Sequence, residues 1–414
     1  MSSPSSALRI VMKFGGTSVA DLDRIRAVAE RVRIERDKGH QVAVVVSAMA
    51  GVTNRMVGYC HSLDPVADPR EYDAVVASGE QVTSGLTAIA LQKLGVAARS
   101  WQGWQIPLRT DDAHGKARID AVEGAALIAA MEAGEVPVIA GFQGIAPDGR
   151  ISTLGRGGSD TSAVAVAAAV RADRCDIYTD VDGIYTTDPR IVKKARKLER
   201  VAFEEMLELA SVGAKVLQTR SVGLALKEKV RVRVLSSFEP ETERCGSLVV
   251  DEDEIMENEV VTGIAYSTDE AKISIRDIPD RPGIAAAIFT PLARAHVNVD
   301  MIVQSTGADG MTNLTFTVGK ADRARALDVL EACREDISYG ELQPADDVVK
   351  ISVVGIGMRS HTGIASTMFQ TLADRGINVQ VISTSEIKIS VLIDSEYTEL
   401  AMRALHTAYG LDAV

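Results

Sequence analysis

The chain has 414 residues, 46% of them apolar and 4% aromatic, which is too long for one ordinary hydrophobic core and enough for two or three domains. Its 45 Lys and Arg against 57 Asp and Glu give a net charge of −12, which argues against a surface built for nucleic acid. Cys60, Cys175, Cys245 and Cys333 form no C-x-x-C pair, residues 1–9 lack a signal-type apolar core, and no apolar run reaches the ~18 residues of a membrane span; a cytoplasmic protein without disulfides, zinc or membrane contact is expected.

From residue 8 to 250, short β-branched runs alternate with helical stretches. Strands are expected at 9–14, 42–47, 136–140, 176–179 and 230–235, and helices at 20–38, 73–94, 121–131, 160–170 and 203–212. Such alternation predicts an α/β domain over residues 1–250, with a mainly parallel sheet sandwiched by helices. Lys13 is the penultimate residue of the first strand, and Gly15-Gly16-Thr17-Ser18 lead from it towards a helix. Paired glycines let backbone N–H groups approach phosphate oxygens, and the helix start favours their charge.

A second glycine loop, Gly155-Arg156-Gly157-Gly158-Ser159-Asp160-Thr161, precedes an Ala-rich helix. Ser159 or Asp160 can cap that helix, but capping gives no reason for an arginine among three glycines. A carboxylate or phosphate is the expected visitor. The third loop, Tyr178 to Arg190, offers Thr179, Asp180, Tyr185 and Arg190 within one stretch, a supply of backbone groups, an aromatic ring and a cation suited to a purine nucleotide.

At 251–259, DEDEIMENE, six of nine residues are acidic, the composition of a solvated connector. Beyond it the chain repeats itself. Ile273-Ser274 recurs as Ile351-Ser352, Gly283-Ile284-Ala285 as Gly363-Ile364-Ala365, and Val297-Asn298-Val299 as Ile377-Asn378-Val379. Each copy reads βαββαβ, so two α+β ferredoxin-like domains with antiparallel sheets are predicted at 263–343 and 346–414. Two copies are too few for a solenoid, and pairing with another subunit is expected.

The glycine loops, together with Ser47-Ala48-Met49 and Ser78-Gly79-Glu80, resemble the amino-acid kinase family and within it the aspartate kinases, whose bacterial members carry two regulatory ACT domains after the kinase domain. The resemblance implies transfer of the γ-phosphoryl of ATP, with Mg2+, to the β-carboxylate of L-aspartate, giving 4-phospho-L-aspartate on the route to lysine, threonine and methionine. A carboxylate nucleophile is already ionised near neutral pH, so the chemistry calls for charge neutralisation and positioning rather than a base.

On that resemblance Lys13 contacts the transferring phosphoryl group and Asp160 orients Lys13 or holds magnesium through water. Gly15, Gly16, Thr17, Ser18, Thr179, Asp180, Tyr185, Arg190 and Lys215 serve the nucleotide. Arg156 clamps a substrate carboxylate, Glu80 answers the ammonium, and Ser47, Gly157, Gly158 and Ser159 complete the pocket. Effector amino acids, lysine and threonine, are expected at two loops: Asp280, Pro282, Gly283, Ile284 and Ala285 with Asn298 and Gln304, and Met358, His361, Thr362, Gly363 and Ile364 with Asn378 and Ser383, Thr384, Ser385 and Glu386. The chain departs from the family in having Thr362 where Pro is common and Ile284 where an acid is common. A homo-oligomer, or an assembly with a regulatory subunit started internally near Met256, follows from the resemblance. A related kinase acting on another carboxylate, or an inactive ACT sensor of amino acids, are the alternatives at this point.

Overall fold

The computed structural model describes residues 7–213, 216–240, 246–255, 260–307 and 310–412. It divides into two compact units, 1–184 with 197–210 and 215–255, and 185–196 with 211–214 and 256–414. Lys215, Met256 and Cys245 lie outside the described residues.

In the first unit the strand Arg9–Phe14 buries five of its six residues, as a strand covered on both faces must. Among the described residues it is the centre of an eight-stranded sheet. Gln41–Val46, Val136–Ala140 and Ala98–Trp101 lie to one side, and Arg174–Thr179, Val232–Ser236, Ser247–Val250 and Arg200–Ala202 to the other. The paired strands run parallel except Val232–Ser236 with Ser247–Val250. The chain therefore fills one half of the sheet and then returns to fill the other, so strand order reverses between Arg9–Phe14 and Arg174–Thr179. Sheets of this type open a ligand crevice at the carboxyl ends of the strands where the order reverses.

Alternation along the first strand sorts its side chains. Ile10, Met12 and Phe14 join a core with Ile25, Val28 and Val32 of the helix Leu22–Asp37 and Leu91 of the helix Ser78–Lys93. Val11 and Lys13 consequently take the opposite face, against the helix Gly158–Ala169, whose small residues are nearly all buried.

The sequence places one helix over 73–94, but two form, Pro69–Val76 and Ser78–Lys93. Side chains compete for the carbonyls at the junction: Ser78 Oγ donates to Val75 O at 2.7 Å and Gln143 Nε2 to Ala77 O at 3.1 Å. The stretch expected to be helical from 121 begins as the strand Ile119–Val122, and the helix is Ala125–Glu132. That strand joins Leu108–Thr110, Gln143–Ile145 and Ile151–Thr153 in a small second sheet. Strands of three or four residues carry too little alternation to be read from sequence.

The second unit holds two four-stranded antiparallel sheets, each with its own apolar core. The repeat is visible in backbone angles: Gly283 has φ 91°, ψ −5° and Gly363 φ 95°, ψ −8°, each the N-cap of an eleven-residue helix, Ile284–Arg294 and Ile364–Asp374. One strand departs from its expected place. Gly263–Ser267, at the head of the first copy in sequence, pairs with Val348–Val354 and so belongs to the second copy's sheet. The first copy's sheet is built from Ala271–Pro279, Val299–Thr306, Met311–Val318 and Glu341–Ala345. Residues 185–196 also belong to this unit, with Val192 in the core beside Val349 and Leu405. His406, fully buried, fastens the segment: its Nε2 lies 2.8 Å from Thr186 Oγ1 and its Nδ1 2.8 Å from Asp412 Oδ1. Among the described residues no helix is long and apolar enough to cross a membrane.

Candidate active site

At the crevice the strand Arg9–Phe14 ends under a tight turn. Gly15 N–H donates to Tyr178 O at 3.3 Å, Ser18 Oγ to the same carbonyl at 3.4 Å, and Ser18 Oγ lies 2.5 Å from Ser237 Oγ. The first glycine loop is thereby tied to the ends of two neighbouring strands. A side chain on Gly16 would come within 3.1 Å of Ala48 O, so only glycine fits there without displacing backbone. The helix expected from 20 is preceded by a single 3₁₀ turn, Gly16–Val19, and starts at Leu22 with Asp21 as its cap.

Beneath this turn Lys13 Nζ lies 2.5 Å from Asp160 Oδ1, with the two side chains 9% and 13% exposed. Gly15 passes directly over the ammonium, its position for a Cβ being 3.4 Å from Lys13 Nζ. An ion pair this enclosed is stabilising only with close geometry, and a cation held here is poorly screened by water.

Asp160 stands in the first turn of the helix Gly158–Ala169. Neither Ser159 nor Asp160 caps that helix, contrary to expectation: Gly157, at φ 71°, occupies the cap position and no side chain closes it. The reason is steric, since a Cβ on Gly157 would sit 2.1 Å from Gln218 Cγ. A helix start without a side-chain cap presents N–H groups to an anion. Arg156, just before it, is exposed and has no partner among the described residues. Ser159 is buried against Gly141, where a Cβ would meet its Oγ at 3.1 Å.

Glu80 reaches the first glycine loop through Ala48, whose carbonyl lies against Gly16. It is 3% exposed, its Oε1 accepts from Ala48 N–H at 3.0 Å, and its Oε2 is buried without a hydrogen-bond partner. Burial pushes its pKa up to about 7, against the opposing pull of the Ala48 N–H. Ser47, next to Ala48, ends the strand Gln41–Val46 with its N–H on Phe14 O at 3.0 Å. A buried carboxylate with a free oxygen calls for a cationic visitor.

Residues 8–236 match the amino acid kinase family, and 273–335 and 351–409 each match an ACT domain. An aspartokinase of Pseudomonas aeruginosa is 52% identical over 98% of both chains. The chain belongs to the aspartokinases of the amino acid kinase family. Among solved structures, E. coli aspartokinase III in complex with aspartate and ADP, in its R-state, has a TM-score of 0.79 at 26% identity, covering 97% of this chain and 99% of that one. The T-state form in complex with lysine and aspartate has a TM-score of 0.73 at 27% identity, over 96% of this chain and 98% of that one.

Within this family fold, Lys13, Gly15, Gly16, Thr17, Ser18, Ser47, Glu80, Arg156 to Asp160, Thr179 and Asp180 all belong to the first unit; Glu80 and Gly158 to Asp160 stand in the first turns of helices, and the others at strand ends or in the turns and loops between elements. Tyr185 and Arg190 belong to the second unit, where Arg190 makes an ion pair with Asp188, Nη2 to Oδ2 at 2.7 Å. Asn298, Gln304 and Asn378 are exposed, as are Asp280, His361 and Thr362, while Ile284 is buried in the first copy's core. His361 Nδ1 lies 2.9 Å from Gly357 O. Sequence reasoning missed the carbonyl of Tyr178 and the hydroxyl of Ser237, which organise the first loop; no motif marks them, because a backbone acceptor and a lone serine have no signature.

Proposed function

We propose that the chain transfers the γ-phosphoryl of ATP to the β-carboxylate of L-aspartate, the reaction at the head of lysine, threonine and methionine synthesis, in the cytoplasm. The observation that carries this reading is the pairing, at one crevice, of the buried Lys13–Asp160 ion pair with a buried Glu80 whose second oxygen is free. The first suits a phosphoryl group in transfer and the second an α-ammonium.

ATP lies with its phosphates along Gly15 to Ser18 and the start of the helix at Gly158, and its nucleoside towards Thr179 and Asp180. Aspartate offers its ammonium to Glu80 and a carboxylate to Arg156, with Ser47, Gly157, Gly158 and Ser159 giving neutral hydrogen bonds. The β-carboxylate oxygen attacks the γ-phosphorus, the bond to the bridging oxygen of ADP breaks, and no proton is transferred. Lys13 offsets the charge that builds on the phosphoryl oxygens, and Asp160 keeps the ammonium aimed at them. Among the described residues no group of three or more His, Cys, Asp or Glu could hold a metal. Mg2+ would be held mainly by the nucleotide's phosphates, with Asp160 reaching it through water, and would supply charge that offsets the repulsion between nucleophile and triphosphate.

Glu80 makes aspartate binding pH-dependent. Its carboxyl titrates near 7 in the free protein, and only the ionised form attracts the ammonium. The KM for aspartate should therefore fall as pH rises from 6 to 8, whereas the KM for ATP stays level, in steady-state rates at fixed Mg2+. A KM for aspartate that rises over that range contradicts the role given to Glu80.

Lysine and threonine act at the loops around Gly283 and Gly363, favouring an arrangement of low activity by binding it more tightly. Both glycines leave a helix start without a side-chain cap, a ready seat for an α-carboxylate. Exposed Ile302 and Val303, on an edge strand of one ACT sheet, and Ile382, on an edge strand of the other, support pairing with a further subunit. The test of product and control together is hydroxylamine trapping of the acyl phosphate with ATP, Mg2+ and aspartate, run beside glutamate and with lysine plus threonine added at millimolar excess. Aspartyl hydroxamate that the two effectors suppress is the expected result. A preference for glutamate overturns the substrate, and indifference to both effectors overturns the regulation.

A further inference from the structure

Asp73 is wholly buried, and its carboxylate collects donors from two segments far away in sequence. Thr153 donates its N–H to Oδ2 at 2.9 Å and its Oγ1 proton to Oδ1 at 2.5 Å. Gly115 N–H reaches both oxygens, at 3.1 and 3.0 Å, and His114 Nδ1 lies 2.8 Å from Oδ2. A carboxylate only accepts, so His114 carries its proton on Nδ1.

These partners frame the loop of Arg156. Thr153 ends the strand Ile151–Thr153, and Leu154 and Gly155 follow. Gly155 is at φ 73°, where a Cβ would be 3.1 Å from Gly115 O, so the 113–117 turn lies against it. On the far side Arg220 donates to Leu154 O at 2.7 Å and to Ala117 O at 2.6 Å. The backbone from 153 to 155 is thus held at consecutive residues, immediately before the guanidinium.

Asp73 itself sits on the helix Pro69–Val76, which passes through Ala77 into the helix whose first turn carries Glu80. One carboxylate therefore ties the helix that leads into the element bearing Glu80 to the strand end that leads into the loop bearing Arg156. Simple adhesion between helix and strand would be served at lower cost by an apolar side chain. Four donors aimed at a buried anion instead fix a backbone to a fraction of an ångström, the tolerance that substrate alignment needs.

We propose that Asp73, supported by His114 and Thr153, is a positioning residue for the amino-acid substrate: it sets the distance between the group that meets the ammonium and the group that meets the carboxylate. The proposal rests on the roles given above to Glu80 and Arg156. It is tested by steady-state kinetics of the full chain with Asp73→Asn, Thr153→Val, Thr153→Ser and Arg156→Gln. Asp73→Asn should raise the KM for aspartate about 10- to 100-fold with the KM for ATP within about twofold. Thr153→Val, which keeps shape and loses one donor, should raise it about 3- to 10-fold, and Thr153→Ser should restore it. If Asp73→Asn does not fold, the two Thr153 variants carry the test. Should Arg156→Gln raise the KM for aspartate while Thr153→Val leaves it unchanged, or should Thr153→Val shift the constants for both substrates alike, positioning by Asp73 is overturned. An Arg156→Gln protein with an unaltered KM for aspartate removes the substrate reading of Arg156 itself and the proposal with it.

Discussion

Lys13→Met is expected to lower kcat about 10²- to 10³-fold and to leave the KM for aspartate within about threefold. The ammonium is enclosed, 2.5 Å from Asp160 and beneath Gly15, so water cannot substitute for it when charge accumulates on the phosphoryl oxygens. The same change strands the carboxylate of Asp160 at 13% exposure, at a cost to stability of about 3–5 kcal/mol. A loss of activity could therefore be confused with a loss of fold. The double variant Lys13→Met with Asp160→Asn separates them: it should recover most of the lost unfolding free energy and none of the lost kcat. Recovery of turnover in the double variant would show that the pair is structural.

Glu80→Gln should raise the KM for aspartate about 10- to 100-fold and at the same time stabilise the free chain above neutral pH. The carboxyl is held protonated up to about pH 7, well above the 4.5 of an unburied glutamic acid. Between those values the unfolded chain has lost the proton and the folded chain keeps it, so native stability falls as pH rises through the window, by about 3 kcal/mol in all. Glutamine has no such penalty. Denaturant unfolding of the two proteins without substrate should give curves that draw apart from pH 5 to pH 8, with the variant the more stable at pH 8. Curves that stay parallel would mean that Glu80 is not desolvated in the free state.

The parts of the site that the sequence made legible are those whose chemistry depends on residue type at a strand end. Gly15-Gly16 after a β-branched run, arginine among glycines at 155–158, and Glu80 in a helix's first turn each announce a local need that few other residues meet. The capping of the second loop was not legible, because Ser159 and Asp160 are good caps by type, and only the approach of Gln218 to Gly157 shows why glycine takes the place. Long-range hydrogen bonds were equally hidden: Asp73 meets Thr153 across 80 positions and Ser18 meets Ser237 across 219. The helix read over 73–94 concealed a break at which Ser78 takes one backbone carbonyl and Gln143, a residue of another element, takes the next but one.

In the C-terminal half the repeat was visible because both copies need a glycine with positive φ before the first helix. Assignment of Gly263–Ser267 to the second sheet was not, since a five-residue strand pairs with whichever edge the chain offers it. The association of 185–196 with the ACT core depends on Val192 and on the buried His406, and neither residue differs in type from an ordinary core or surface position.

Phosphoryl transfer at this site needs fixed charge and alignment and no proton transfer. Single-turnover rapid-quench rates with both substrates saturating, measured from pH 6.5 to 8.5 in H2O and in D2O, test it most directly. A flat pH profile and a solvent isotope effect near 1 are expected. A rate that climbs tenfold per pH unit, or an isotope effect of about 2 or more, would reveal a base at work and contradict it.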